Sequence, residues 1–298
     1  MKSGKIVYYE KPNLNEPCLI IGFEGWPNAA EVSSSALQHL IGSLKAKEFA
    51  FMEAEDFYQS SVSRPIGVIK EGRLVEVKLP GNRFYYVKNR GSQDLILLHG
   101  VEPHLRWTFF VDLLLDLAES FGVSEIFTIG GTYDYIPHTC PPMVSAVVSD
   151  DDLRKKVVQA GLGLTEYTGP ISIHTFILET ARKRGLRTTC LWGHAPQYLQ
   201  TKNVRVVYSV LKILTDFIGL EMDLSELHRA GEYFNEQVSH LVEEDPKLQE
   251  VIKKLEELYK QAEPSSDESK KEEGSREEKV IYMHAFLKRQ EDGDKKEG

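Results

Sequence analysis

The sequence of 298 residues is short of cysteine, of long apolar runs and of positive charge. Each shortage closes off a class of protein. Three cysteines, Cys18, Cys140 and Cys190, are too few and too scattered for a disulfide framework or a zinc site, and no CxxC pair occurs. No run approaches the roughly 18 apolar residues that a transmembrane helix needs, and the first residues lack the apolar stretch of a signal peptide. A net charge of −9 offers nothing to a phosphate backbone or an anionic membrane surface. The expectation is a soluble, cytoplasmic protein without nucleic-acid or membrane partners.

Signatures of chemistry are missing as well. There is no GxSxG elbow, no HExxH, no GxGxxG fingerprint and no P-loop. The acid triplet Asp150-Asp151-Asp152 suits a helix start better than a metal, because consecutive side chains point apart. No metal and no cofactor are expected. Glu24, Glu102, Asp134 and His138 have acid–base chemistry, but nothing in the sequence sets them in register, so no catalytic residue is assigned.

What is present is organised around residues 126–142, IFTIGGTYDYIPHTCPP. An apolar, β-branched run reads as a buried strand that stops at Gly130-Gly131. A glycine pair there serves either a turn with positive φ or the close approach of another group. A dense loop follows, with Thr132, Tyr133, Asp134, Tyr135 and His138, stiffened by Pro137, Pro141 and Pro142. Functional crevices in open α/β sheets form beyond the carboxyl ends of strands.

The remainder alternates strand and helix. Apolar runs at 18–23, 94–99 and 187–191 read as buried strands, and helical periodicity marks 29–44, 108–121, 171–184 and 204–220. Residues 66–69 and 74–79 flank Lys70-Glu71-Gly72-Arg73 as an antiparallel hairpin. This rhythm predicts a three-layer α/β sandwich with a mostly parallel sheet over residues 1–220. Two apolar stripes predict a helical hairpin over 221–262. Residues 261–279 have almost no apolar content, and 263–298 read as a mostly disordered charged tail, interrupted by an apolar island at 280–287 that is either a docking segment or a transient helix.

Strand-end loops at 22–28, 99–107, 130–142 and 192–198 gather on one rim and hold all three tryptophans, Trp26, Trp107 and Trp192. The candidate binding residues there are Trp26, Asn28, Glu102, Trp107, Tyr133, His138 and Tyr198. For Glu102 the competing assignment is a cap of the helix that follows it, and for Trp26 it is packing.

Several stretches taken together resemble the PAC2 family, the relatives of proteasome assembly chaperones. They are Gly22-Phe-Glu-Gly-Trp-Pro-Asn-Ala-Ala30, Leu98-His-Gly-Val-Glu-Pro103 with Trp107, Gly130-Gly-Thr132 with Ile136-Pro-His-Thr139 and Pro141, Tyr167-Thr-Gly-Pro170, and Leu191-Trp192 with Ala195-Pro-Gln-Tyr198. Cys140 and Asn28 stand where the family often carries arginine and aspartate. The hydrophobic-Tyr-X ending of some archaeal relatives is not matched by Lys-Lys-Glu-Gly298. The resemblance implies a phosphorylase- or hydrolase-like α/β fold used for protein binding, with a protein partner or self-association into a homo-oligomer. The alternative is a phosphorylase- or nucleosidase-like enzyme that holds a nucleoside or nucleotide at the rim, stacked on Trp107 or Tyr133.

Overall fold

Four apolar runs that alternate with amphipathic helices have to pair with one another and be covered on both faces. The computed structural model, which describes residues 5–53, 56–89 and 93–262, shows how they do so. In chain order the elements are β1 (Ile6–Tyr8), β2 (Cys18–Glu24), α1 (Val32–Ser43), β3 (Lys47–Met52), β4 (Ile66–Lys70), β5 (Arg73–Lys78), β6 (Asn82–Val87), β7 (Leu95–Val101), α2 (Trp107–Ser120), β8 (Glu125–Asp134), β9 (Val144–Val148), α3 (Asp151–Gln159), β10 (Gly163–Leu164), α4 (Ile173–Lys183), β11 (Arg187–Pro196), α5 (Val204–Ile218), α6 (Ser225–Glu243) and α7 (Pro246–Ala262). The tail read at 263–298, with its island at 280–287, lies outside the described residues.

Nine strands form one sheet in the order β1-β3-β6-β7-β2-β8-β11-β9-β10. Its centre, β7-β2-β8-β11, is parallel throughout, and antiparallel strands extend it on both sides. Parallel neighbours end together, so the carboxyl ends of the four central strands lie on one rim. Helices cover both faces. Leu37 and Leu40 of α1 and Val207, Val210 and Leu214 of α5 close one core against Ile20, Leu97 and Phe127. Phe110, Leu114 and Ala118 of α2 and Ile173 and Ile177 of α4 close the other against Leu19, Ile21 and Ile96. The three layers expected from the sequence are present, and β4 and β5 stand apart as a separate two-stranded sheet.

The central strands run further than the apolar residues suggest. β8 continues through the glycine pair to Asp134, and β11 continues through Trp192 to Pro196, paired in register from Arg187↔Glu125 to Pro196↔Asp134. The reading of 130–142 and 192–198 as loops is corrected by five residues at each start. Neither Gly130 nor Gly131 has positive φ, so the turn alternative falls away and close approach is the reason for both. A Cβ on Gly130 would stand 2.6 Å from the Trp192 ring. One on Gly131 would collide with the Ala29 carbonyl oxygen and reach Val32 Cβ at 2.9 Å. The segment after β2 therefore lies directly on β8, joined by the bridge Asn28↔Gly131.

Gly131→Ala is expected to lower the stability by about 1–3 kcal/mol, the range for overpacking a close contact, because the obstruction is backbone and has no rotamer to change. Chemical denaturation at constant m-value checks this, and an unchanged midpoint would contradict the contact.

Candidate functional site

The first helix begins later than its periodicity predicts. After a single 3-10 turn over Ala29–Glu31, Ala30 and Glu31 both take left-handed backbone angles, and α1 starts at Val32. Two such residues in succession are costly, and side-chain hydrogen bonds hold them. Asn28 Oδ1 accepts from Ser34 N at 3.0 Å, and its Nδ2 donates to Ser34 Oγ at 3.0 Å. Tyr133 Oη accepts from Ala30 N at 3.2 Å. Ser33 Oγ accepts from Phe23 N at 2.9 Å, and Gly131 N donates to the Pro27 carbonyl at 2.8 Å. Backbone amides at a strand-to-helix turn attract anions. These amides already have partners within the chain, and Asn28 is a capping residue displaced from the helix end.

Glu102 does the same across the other face of β2. Its Oε2 accepts from Trp26 N at 3.2 Å and its Oε1 from Ile173 N at 3.0 Å. One carboxylate thus ties the ends of β2 and β7 to the first turn of α4, where the helix dipole favours negative charge. Glu102 is a cap, as its competing assignment held, but of α4 and not of the helix that follows it. That helix, α2, starts only at Trp107. Burial raises the Glu102 pKa, and the two amides oppose the rise. Trp107 donates from Nε1 to the Pro103 carbonyl at 2.6 Å and sets its ring edge-on to Phe176. It is a packing residue, not a stacking platform.

His138 is buried. Its Nδ1 and backbone N lie 2.7 and 2.6 Å from Tyr198 Oη, and its Nε2 lies 3.2 Å from Ser239 Oγ in α6. Burial, then the nearby Arg205 guanidinium, lower its pKa, while burial pushes Tyr198 up to about 12. Arg205 carried no signal in the sequence, and it organises this corner. Its Nη1 donates to the carbonyls of His138 at 2.6 Å and Cys140 at 3.0 Å, and its Nε to Glu232 at 3.1 Å. Thr139 donates to Glu256 at 2.5 Å, and Tyr259 to the Pro141 carbonyl at 3.2 Å. The proline-rich loop therefore lies under α6 and α7. The crevice among Pro137, His138, His194, Asn203 and Asn235 has a volume of about 10 Å³, room for one water, against the roughly 300 Å³ at which ligand pockets begin. A larger depression of about 240 Å³ is an open groove along α6 at His228, Glu232 and Tyr233.

One constellation has the outline of a catalytic relay. Asp134 Oδ2 is 2.8 Å from His194 Nδ1, and His194 Nε2 is 2.8 Å from Ser145 Oγ. Sequence spacing gave no hint of it, because β9 and β11 bring Ser145 and His194 together across the sheet. The accessibility runs opposite to that of a serine nucleophile, which must meet its substrate. Asp134 is the open end, while Ser145 is 6% exposed and its hydroxyl is shared with Thr165 Oγ1 at 2.9 Å. The chain of bonds ties β8, β9 and β11 together. Burial acts to raise the Asp134 pKa, but the hydrogen bond and charge of His194 and the Tyr135 amide outweigh it and hold the carboxyl below its ordinary value.

Among the seven sequence candidates the structure brings Trp26, Asn28, Glu102 and Tyr133 onto one hydrogen-bonded patch, places Trp107 beside it, and sets His138 and Tyr198 under α6. Trp26 is 63% exposed, Tyr133 and Tyr135 are exposed at the end of β8, and Ile171 is exposed two residues before Ile173. Among the described residues no group of three or more His, Cys, Asp or Glu side chains can hold a metal, and no helix is long and apolar enough to cross a membrane.

A three-layer α/β body with a stiffened aromatic rim defines the class, and comparison with known proteins defines the family. The PAC2 family profile matches residues 22–242, and the chain belongs to the PAC2 family. It is similar to a solved PAC2 family protein from Streptomyces avermitilis, at 31% identity and a TM-score of 0.72 over 79% of this chain and 99% of the other. A Mycobacterium tuberculosis proteasome-assembly chaperone homologue is 27% identical, with a TM-score of 0.73 over 79% of this chain and 99% of that one. PbaB from Pyrococcus furiosus, an archaeal proteasome activator, is 25% identical, with a TM-score of 0.65 over 81% and 99%. No curated protein matches the chain.

His174 lies beside this patch, fully buried between the rings of Phe23 and Trp192, with neither ring nitrogen hydrogen-bonded. Burial lowers its pKa from 6.5 to about 3. Below pH 6.5 the unfolded chain takes up a proton that the native state refuses, so stability falls as pH drops from 6.5 towards 3. His174→Phe is expected to flatten that part of the stability–pH curve, measured by urea unfolding at several pH values. An unchanged slope would show that the ring is charged or hydrated in the native state.

Glu102→Ala is expected to cost about 1.5–3 kcal/mol, the range for hydrogen bonds to a charged group, and to speed amide exchange at Trp26 and Ile173 together. Faster exchange at one amide alone would refute the shared tie.

Proposed function

We propose that this chain acts in the cytoplasm as a protein-binding assembly factor without catalysis of its own, associating with itself and with proteasome subunits. One observation carries the reading. Asn28, Glu102, Asp134 and His138 are spent on bonds within the chain, while Trp26, Tyr133 and Tyr135 stay exposed beside them. Rigid, exposed aromatic side chains suit contact with another protein, where truncating one such anchor costs about 2 kcal/mol or more. A substrate site needs the opposite, an enclosed space with unspent polar groups. Relatives described as a proteasome-assembly chaperone homologue and an archaeal proteasome activator support the choice of partner. The phosphorylase- or nucleosidase-like alternative is not favoured: Trp107 packs against Phe176, and Tyr133 is hydrogen-bonded to Ala30.

Light scattering on the full chain, alone and mixed with purified proteasome α-subunits and assembled core particles, tests the proposal. Co-elution is expected, weakened about tenfold or more by Trp26→Ala. A chain that elutes apart from every proteasome preparation, and carries a small molecule through purification, would overturn it.

A further inference from the structure

Helices α6 and α7 lie across the proline-rich loop as a strap, and polar bonds fasten it. Ser239 Oγ of α6 lies 3.2 Å from His138 Nε2, and Arg205 of α5 joins Glu232 of α6 to the carbonyls of His138 and Cys140. Thr139 donates to Glu256 of α7, and Tyr259 of α7 to the Pro141 carbonyl. Apolar fastening is thin by comparison. The buried apolar side chains of the two helices are Val238 and Ile252, while Tyr233, Leu241, Val251 and Leu258 are exposed. Elements with few buried apolar contacts open first, ahead of the core.

The bonds around His138 close only for a neutral ring. Tyr198 Oη accepts from the His138 backbone N at 2.6 Å, so its own hydrogen turns to Nδ1 at 2.7 Å. Nδ1 is then the acceptor, and Nε2 carries the proton and donates to Ser239 Oγ. Ser239 in turn donates to the Asn235 carbonyl at 3.0 Å. A second proton on the ring would make Nδ1 a donor and leave the Tyr198 hydrogen without an acceptor. It would also set a positive charge beside the Arg205 guanidinium. The other titratable groups around the ring are Cys140 on its own loop, His194 of β11, Glu232 of α6, and Glu256 and Tyr259 of α7. Glu256 favours the charged ring, whereas Glu232 is engaged by Arg205. Burial and Arg205 prevail, and the His138 pKa lies below 6.5.

We infer that α6 and α7 form a pH-sensitive strap, closed over the proline-rich loop while His138 is neutral and released when its ring takes up a proton. In the open strap the ring meets water and titrates near 6.5, while the closed strap refuses the proton. The strap is therefore fully held above pH 6.5 and loosens as the pH falls below it, by up to about tenfold per pH unit. Release uncovers the crevice among Pro137, His194 and Asn203, which the closed strap leaves with room for one water. The device is separate from the protein-binding reading of the rim and holds whichever partner the rim takes.

Hydrogen–deuterium exchange of the full chain between about pH 7.5 and 5.5, above the ordinary range of carboxylates, tests it once rates are corrected for the intrinsic pH dependence of exchange. The His138 amide, which donates to Tyr198, and the amides of 232–256 are expected to exchange up to about tenfold faster per unit below pH 6.5. The central strands are expected to stay unchanged. His138→Gln keeps a donor and an acceptor in place without a titrating ring, and is expected to abolish the rise. The His138 ring of the wild type, followed by nuclear magnetic resonance, needs no variant and is expected to titrate below 6.5. Flat exchange in the wild type, a rise that survives in His138→Gln, or a ring that titrates at 6.5 under a strap that stays protected would each overturn the assignment.

Discussion

A backbone amide stranded at the end of a buried strand has to find an acceptor, and the rim of this protein is shaped by how four central strands meet that demand. Side chains serve as the acceptors: Glu102 for Trp26 and Ile173 and Tyr133 for Ala30, from distant parts of the sequence, and Asn28 for Ser34, close by. Arg205 answers the matching problem for the carbonyls of His138 and Cys140. The left-handed Ala30 and Glu31 and the bare flanks of Gly130 and Gly131 follow, because these bonds form only when the chain after β2 lies flat on β8.

That closure bears on the two kinds of function first considered. Amides able to hold a phosphate and a histidine able to move a proton are both present in the sequence, and the fold commits them elsewhere. His138 is locked between Tyr198 and Ser239, and Asp134, His194 and Ser145 form a relay whose serine is shut in. What the rim offers outward is shape, aromatic surface and negative charge. These properties support the protein-binding reading proposed for this member of the PAC2 family.

The sequence made the layers legible because burial on both faces writes itself as uninterrupted apolar runs, as in 18–23 and 94–99. The helix faces were equally plain, down to the Asp150 side chain that accepts from Asp152 N and Leu153 N at the start of α3. The strand ends were not legible. Polar residues such as Thr132 and His194 continue β8 and β11 because parallel pairing persists past the point where burial stops. The PAC2 stretches were readable as a set of motifs, whereas the bonds among them were not. Glu102 meets an amide 71 residues away, and Arg205 reaches a carbonyl 67 residues away. No local pattern records such distances. The pairing of Ser145 with His194 was invisible for the same reason.

Side-chain acceptors hold the backbone of the rim in place, and hydrogen–deuterium exchange of the full chain tests this most directly. The amides of Trp26, Ala30 and Ile173 are expected to exchange slowly, as those of the central strands do. Free exchange at these three amides would contradict it.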